Sequence, residues 1–350
     1  MKKIVFALIS LALLASCNQQ PAIENPQIQF IDSTDMTNNF YDNTETFDLP
    51  VAGLTVEGEV ANPGKVDFAG LPVRSVIVKE TLLDSAGGDR FTGAYRYDGY
   101  SLFDILEKTI IRKANAEEFN SIIDLFIEIE NDKGDKVVFS WGEIFYPNVL
   151  HKILIAKSVS RIVPSKTKEL WVLPVTSKIV VSGDLITERN ISDPSKITVR
   201  SFPKSFNTIK GLSPMYAGKI SLYEKNNEIG VLESLPADIK EITYNTIFYG
   251  RGKGIHSTTP FTGVMLKDVI GKYYPVSREN LQSGIICIAG KDGYRSALSY
   301  SEIFNRNDQQ EILLIKTPEN EDGGLFRMFT AGDFFSDRAI KSVSSICLGY

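Results

Sequence analysis

Apolar positions along the chain form three regions with different patterns. Residues 4–14 are a continuous apolar run, residues 18–48 show no sustained apolar period, and residues 51–350 combine strand-like and helix-like periods. In the third region, runs rich in Ile, Val and Thr predict strands, and apolar residues at helical spacing predict short amphipathic helices. The two element types follow each other without a regular βαβ rhythm, which predicts an α+β fold.

The predicted elements occur twice in the same order. Each copy opens with a strand, at residues 54–60 and 219–223, and continues with a β-rich run, a glycine-rich loop, an amphipathic helix and further strands. Matching residues keep their order through both copies: Leu71 with Leu235, Gly88 with Gly252, Asp104 with Asp268, Glu143 with Glu302, Asp184 with Asp333, and Arg189 with Arg338. This order predicts a duplication, with a first domain over residues 51–205 and a second over residues 211–350.

The amphipathic helix of each copy is predicted from apolar residues that share one helical face. These are Leu102, Ile105, Leu106 and Ile110 in the first copy, and Leu266, Val269 and Ile270 in the second.

The amino-terminal apolar run is typical of a targeting signal and not of a membrane-spanning helix. Lys2 and Lys3 precede it, and it is shorter than the roughly 20 residues that a spanning helix needs. Residues 14–17 read Leu-Ala-Ser-Cys and resemble the lipobox of bacterial lipoproteins, whose cysteine accepts a diacylglycerol. We therefore expect residues 1–16 to be a lipoprotein signal peptide, and a lipid on Cys17 to hold the chain to a membrane. An ordinary secretory signal with a chance cysteine is the alternative.

Residues 17–50 are rich in Asn, Gln, Asp, Thr and Pro and predict a tether between the lipid and the folded part. Asn18 after the cysteine favours the outer membrane over the inner one. The expected location is the bacterial cell envelope, on the periplasmic side and not in the cytoplasm.

The composition of the chain argues against several classes of function. The chain has 350 residues, of which 43% are hydrophobic and 23% charged, as is typical of globular proteins. Its net charge of −5 argues against nucleic-acid binding. Two histidines and three cysteines are too few for a histidine-rich metal site or a Cys-x-x-Cys zinc framework.

Three stretches carry a family resemblance. Residues 54–60 with Pro63 match an opening "L-x-V-x-G-x-V-x-x-P", and residues 292–294 match a "D-G-Y" hairpin. Residues 323–341 match a terminal "G-G-x-x-R…G-D…R-x-x-K". Together they resemble the molybdopterin-binding domain of the sulfite-oxidase family. The resemblance implies two tandem α+β domains of that type, with molybdopterin as cofactor and oxidoreductase activity.

The chain departs from that family where its enzymes hold the metal. They bind molybdenum through the cysteine of a "C-x-G-N-x-R" loop, but Ser85 stands at that position in the first copy and Tyr249 in the second. A serine hydroxyl is far less acidic than a thiol and a poorer ligand for this metal. Cys287 and Cys347 lie in apolar runs and are expected to be core residues; a disulfide between them is the alternative.

The candidate site residues follow from the loops. Residues 250–256 combine glycines, whose N–H groups can approach an anion, with Arg251, Lys253 and His256. The resemblance places Arg338 and Lys341 near a pterin phosphate. Ser85 is a further candidate, as a ligand or nucleophile. Solvated loop charges, and a surface pair for Arg338 and Lys341, are the structural alternatives.

Two functions follow. The first is a non-catalytic binding or scaffolding lipoprotein, without a cofactor, that takes a small anionic ligand or an envelope protein partner. The second is a molybdopterin-dependent oxidoreductase with atypical metal ligation. The missing cysteine favours the first and leaves enzymatic activity undecided.

Overall fold

Strands dominate the computed structural model, which describes residues 44–164, 166–317 and 323–349. Strands account for 43% of it and helices for only 11%. The α+β prediction, with its two tandem sulfite-oxidase-like domains, is therefore wrong, and the fold is mostly β. The predicted signal peptide and Cys17, and the tether up to residue 43, lie outside the described residues.

The strands of the first half are β1 (Thr46–Asp48), β2 (Thr55–Gly58), β3 (Gly64–Lys65), β4 (Val73–Leu83), β5 (Asp89–Ser101), β6 (Leu125–Asn131), β7 (Lys136–Ser140), β8 (Ile153–Arg161), β9 (Ile179–Val181) and β10 (Pro194–Ser201). Those of the second half are β11 (Ile220–Glu224), β12 (Asn227–Leu232), β13 (Glu241–Tyr244), β14 (Phe248–Gly250), β15 (Gly254–Ser257), β16 (Phe261–Met265), β17 (Ile285–Gly290), β18 (Arg295–Ser299), β19 (Ile312–Lys316), β20 (Phe326–Thr330) and β21 (Val343–Leu348). The helices are α1 (Leu102–Leu106), α2 (Trp141–Phe145), α3 (Leu266–Ile270), α4 (Arg278–Ser283) and α5 (Tyr300–Phe304), with 3₁₀ turns at Ile122–Asp124 and Ser336–Arg338.

The two halves repeat one strand order. One sheet of the first half runs β3-β2-β10-β6-β7, and its counterpart in the second runs β12-β11-β21-β17-β18. In both sheets one pair is parallel, β2 with β10 and β11 with β21. The other sheets place β9-β8-β5-β4 and β20-β19-β16-β13 side by side, with β1 added at β8 in the first half. These four sheets are arranged like the blades of a four-bladed β-propeller. The predicted domain boundary falls between β10 and β11.

The helices predicted from apolar spacing are short and end after about one turn. The helix predicted from Leu102 through Ile110 stops at Leu106. The Ile110 N–H instead binds the Asn62 side chain at 2.8 Å, and Ile110 is 62% exposed. In the second half, Gly271 caps α3 directly after Ile270. The helices predicted from the spacing of apolar residues are thus confirmed for about one turn, and the prediction that the first continues to Ile110 is wrong.

The apolar interior is divided between the two halves. One large cluster is built around Ile127, Phe139 and Leu102, and another around Ile286, Leu314 and Ile346. A smaller cluster, which includes Phe126 and Cys347, joins the facing sheets. None of the helices within the described residues has the length and apolar character needed to cross a membrane.

Candidate functional site

The hairpin that carries the predicted anion loop is bent in the second half only. In the first half, β4 and β5 pair continuously apart from one irregularity at Glu80/Thr81. At the corresponding place in the second half, pairing of β13 with β16 stops at Tyr244, and β14 and β15 form a separate two-stranded sheet. Pro260 lies in this interruption, where it has no N–H to offer to a neighbouring strand. The outer part of the hairpin therefore leaves the sheet.

An apolar pocket lies beside this bent hairpin. Its volume is about 330 Å³. The rings of Phe261 and Phe329 stack at 4.4 Å between centroids, and Phe248 meets Phe261 edge-on at 5.7 Å. The lining residues are Phe248, Ser257, Phe261, Ile315, Arg327, Met328, Phe329, Ala339, Ile340 and Lys341. This composition, mainly apolar with a few polar groups, is typical of sites for small molecules.

Positive charge lies at the edge of the pocket. Lys341 lines it and is exposed, and Arg327 also lines it. The ring of His256 packs edge-on against Phe248 at 5.5 Å between centroids. Among the described lining residues there is no carboxylate. The arrangement can therefore hold an apolar body inside and an anionic group near Lys341.

The other candidates of the same loop lie away from the pocket lining. Arg251 is exposed, and its Nε lies 3.2 Å from a carboxylate oxygen of Asp337. Lys253 is exposed in the turn between β14 and β15. The structure thus places Lys341 in the pocket lining and His256 outside it, against the lining residue Phe248, and leaves Arg251 and Lys253 at the hairpin tip.

Ser85 lies on the turn of the other hairpin, between β4 and β5, and is exposed. The neighbouring Asp84 carboxylate accepts the N–H groups of Ala86 and Gly88, each at 2.8 Å. These bonds lower the pKa of Asp84, the one to Gly88 most. Tyr249, the second candidate ligand position, packs against the rings of Phe334 and Phe335. Neither side chain lines the pocket.

The cysteines provide no replacement for the missing metal ligand. Cys287 and Cys347 lie opposite each other on β17 and β21, and both are free and buried. Burial raises the pKa of both thiols, so neither is a ready thiolate. Within the described part of the chain no group of His, Cys, Asp and Glu side chains could hold a metal ion. The residues that the structure describes do not fit a molybdenum centre of the family's type.

Arg338 lies in a buried charge cluster that sequence reasoning missed. Its guanidinium binds both carboxylate oxygens of Asp333, at 2.8 and 2.6 Å, and lies 2.6 Å from Glu302. Arg189 of the first half repeats the arrangement, with bonds to Asp184 at 2.8 and 2.7 Å and to Glu143 at 3.1 Å. The signal was in the repeat, because arginine, aspartate and glutamate all recur.

Hydrogen bonds across the two halves close this cluster. The Ser140 hydroxyl, which caps α2, donates to Glu302 at 2.7 Å, and Arg189 donates to the Ser299 hydroxyl at 3.2 Å. Gly142 faces the Arg338 guanidinium so closely that a Cβ atom would overlap it. We refer to Ser140, Glu143, Asp184, Arg189, Ser299, Glu302, Asp333 and Arg338 as the buried charge cluster.

Burial dominates the electrostatics of this cluster. Loss of solvent raises the pKa of Glu143 to about 7, although Arg189 acts against it. The same cause raises the pKa of Asp184 and of Asp333. The cluster contains four carboxyl groups and two guanidinium groups, so the retention of a proton reduces an excess of negative charge.

Neither a protein-family model nor a curated protein matches the chain. The resemblance to the sulfite-oxidase family therefore stays a hypothesis that rests on the three sequence stretches.

We expect Arg338→Met to destabilise the fold by about 3–5 kcal/mol, because Asp333 and Glu302 would remain buried without their cation. The free energy of unfolding in urea measures the effect. Arg251→Met is the matched control; it breaks an exposed pair and should cost less than about 1 kcal/mol. Equal effects of the two changes would contradict the structural role of the cluster.

Stability should fall as pH rises from about 5 to about 7.5, since Glu143 has a pKa of about 7 in the folded chain against 4.5 for a free side chain. In that window the folded state holds a proton that the unfolded chain has released, so raising the pH favours unfolding, by on the order of 2 kcal/mol. Urea midpoints at several pH values test this.

Glu143→Gln, which imitates the protonated acid, should flatten the pH dependence, whereas exposed Glu233→Gln should leave it unchanged. A wild-type chain that gains stability between pH 5 and 7.5 would refute the assignment.

Proposed function

We propose that the chain is a non-catalytic, lipid-anchored binding protein of the bacterial cell envelope, which holds a small amphiphile with an anionic group in the pocket of its second half. The observation that carries the proposal is the 330 Å³ pocket with stacked Phe261 and Phe329 inside and Lys341 at its edge. A carboxylate, sulfonate or phosphate attached to an aromatic or aliphatic body has the matching chemistry.

Binding rather than catalysis is supported by the groups that line the pocket. Ser257 is the only nucleophilic hydroxyl among the described lining residues, and it accepts the Thr259 N–H at 2.9 Å. No carboxylate or histidine stands among those lining residues to act as its base. The molybdopterin-dependent alternative is supported by the sequence resemblance alone, because Ser85 and Tyr249 lie outside the pocket lining and both described thiols are buried.

The apolar interior should supply most of the affinity. Removing apolar surface from water contributes roughly 25 cal/mol per Å². At about 0.3 kcal/mol per non-hydrogen atom, a ligand of some twenty atoms would bind with a dissociation constant of tens of micromolar. The single exposed cation adds orientation and a smaller share of the free energy.

The fluorescent probe 1-anilinonaphthalene-8-sulfonate, which joins an apolar ring system to one sulfonate, tests this. We expect saturable binding that dodecanoate displaces. Lys341→Glu should weaken binding about five- to tenfold, because it replaces attraction by repulsion at the edge. Phe248→Ser should also weaken it, since it removes part of the apolar lining.

Lys253→Glu is the control for charge, because it makes the same change at an exposed lysine of the neighbouring hairpin, outside the pocket lining. It should alter binding less than twofold. Equal losses in the Lys253 and Lys341 variants would indicate non-specific attraction of the probe and sink the pocket proposal.

The anchor has its own test. Cys17→Ala should release the chain from the membrane fraction and abolish incorporation of labelled palmitate, because the acceptor thiol is lost. Cys347→Ala, a change at a buried thiol, should leave both properties as they are. Membrane association that survives Cys17→Ala would contradict lipid anchoring at this residue.

A further inference from the structure

The three most exposed large apolar side chains of the described residues lie on one loop. Leu170, Val172 and Val175 are 70%, 85% and 84% exposed. We call residues 170–175, between β8 and β9, the apolar loop. A contiguous group of exposed apolar side chains marks an interaction surface more often than a chance feature.

The loop is held firmly while its aliphatic side chains point outwards. Trp171 and Leu173, which alternate with the exposed residues, pack against the small cluster around Tyr97 and Val159. The Trp171 indole N–H donates to the Ile162 carbonyl at 3.0 Å. The Tyr95 hydroxyl donates to the Val172 carbonyl at 2.6 Å. These contacts hold the backbone of the loop against the fold while Leu170, Val172 and Val175 project into solvent.

The chain enters the fold at the base of this loop. The Thr44 hydroxyl donates to the Arg161 carbonyl at 2.9 Å, and the Arg161 Nε donates to the Trp171 carbonyl at 2.7 Å. Directly after Thr44, β1 pairs with the end of β8, with Thr46 opposite Ser160. Thr44, the first described residue, thus lies on the side of the fold that carries the apolar loop.

We infer that the apolar loop inserts into the lipid surface to which the chain is tethered and orients the folded part upon it. This inference rests on the proposed anchor at Cys17. The segment from Cys17 to Thr44 reaches at most about 90 Å, which keeps the loop at high effective concentration near the bilayer. Exposed Lys166 and Lys168 next to the loop suit a surface that contains anionic lipids, with Glu169 as the opposing charge.

A lipid surface is a better occupant than a protein because the apolar side chains project at 70–85% exposure instead of lining a groove. Aliphatic groups that project in this way can enter the headgroup region without a complementary shape. The loop needs only a shallow insertion, since the anchor already provides attachment.

The experiment uses the chain from Cys17 onward, coupled through the Cys17 thiol to a maleimide lipid in vesicles of phosphatidylethanolamine and phosphatidylglycerol with brominated acyl chains. Coupling makes the test independent of acylation in the cell, so failure of the anchor and failure of the loop are seen separately. Cys287 and Cys347 are buried and do not compete. Bromine should quench up to about half of the tryptophan emission, because Trp171 is one of two tryptophans and Trp141 is buried.

The variant Leu170→Ser, Val172→Ser, Val175→Ser should lose this quenching and keep its unfolding midpoint, since exposed side chains add little to stability. The matched control Ile110→Ser, Val149→Ser, Val276→Ser changes three other exposed aliphatic residues and should be quenched like the wild type. No quenching of the wild type, equal quenching of the loop variant, or loss of quenching in the control would each overturn the inference; the first would leave a protein partner as the occupant of the loop.

Discussion

The union of the two halves depends on buried charges whose hydrogen bonds are completed across the junction. Arg189 and Arg338 are 2% and 1% exposed, and each holds an aspartate and a glutamate of its own half. Removing such groups from water costs several kcal/mol per ion, which is recovered only if their hydrogen bonds are completed. The Ser140 hydroxyl donates a hydrogen bond to Glu302, and the Ser299 hydroxyl accepts one from Arg189, each serine reaching across from the opposite half. The polar cluster therefore specifies how the halves meet, while apolar packing alone would tolerate sliding.

Both halves contain the same buried arginine, aspartate and glutamate, but they differ in the residues and hairpins around this group. Gly142 makes room for the Arg338 guanidinium, whereas the residue at the matching place in the second half is Ser301. The hairpins diverge further, because the first continues straight to the turn at Asp84 and the second bends after Tyr244. One half thus keeps its hairpin within the sheet while the other forms a pocket. Such divergence is possible because the sheets that join the halves, with β7 against β18, are not the sheets that carry the hairpins.

Sequence reasoning located some of the strands and mistook the extent of the helices. Alternating apolar residues, Leu125, Ile127 and Ile129 in one copy and Ile286 and Ile288 in the other, predicted β6 and β17, because the side chains of a strand alternate between its two faces. Ile110 was assigned to a helix because its spacing fits, but the helix ends at Leu106 and the Ile110 N–H binds the distant Asn62 side chain instead. The repeat of Arg189 and Arg338 was visible, yet nothing local distinguishes a surface arginine from a buried one. That difference is set by the folded structure, in which Glu143 and Glu302, distant in the sequence, reach the arginine of their own half.

The final stretch of the chain connects the cluster with the pocket. Arg338 and Lys341 stand three positions apart, and a pair at that spacing would share one face of a helix. The 3₁₀ turn ends at Arg338 instead, and Ile340 then pairs with Met328 of β20. This extended path turns Arg338 into the cluster and Lys341 to the edge of the pocket, with Ala339 and Ile340 forming pocket wall between them. One short segment therefore helps to hold the halves together and to shape the ligand site, so the geometry of the pocket depends on the buried charges beside it.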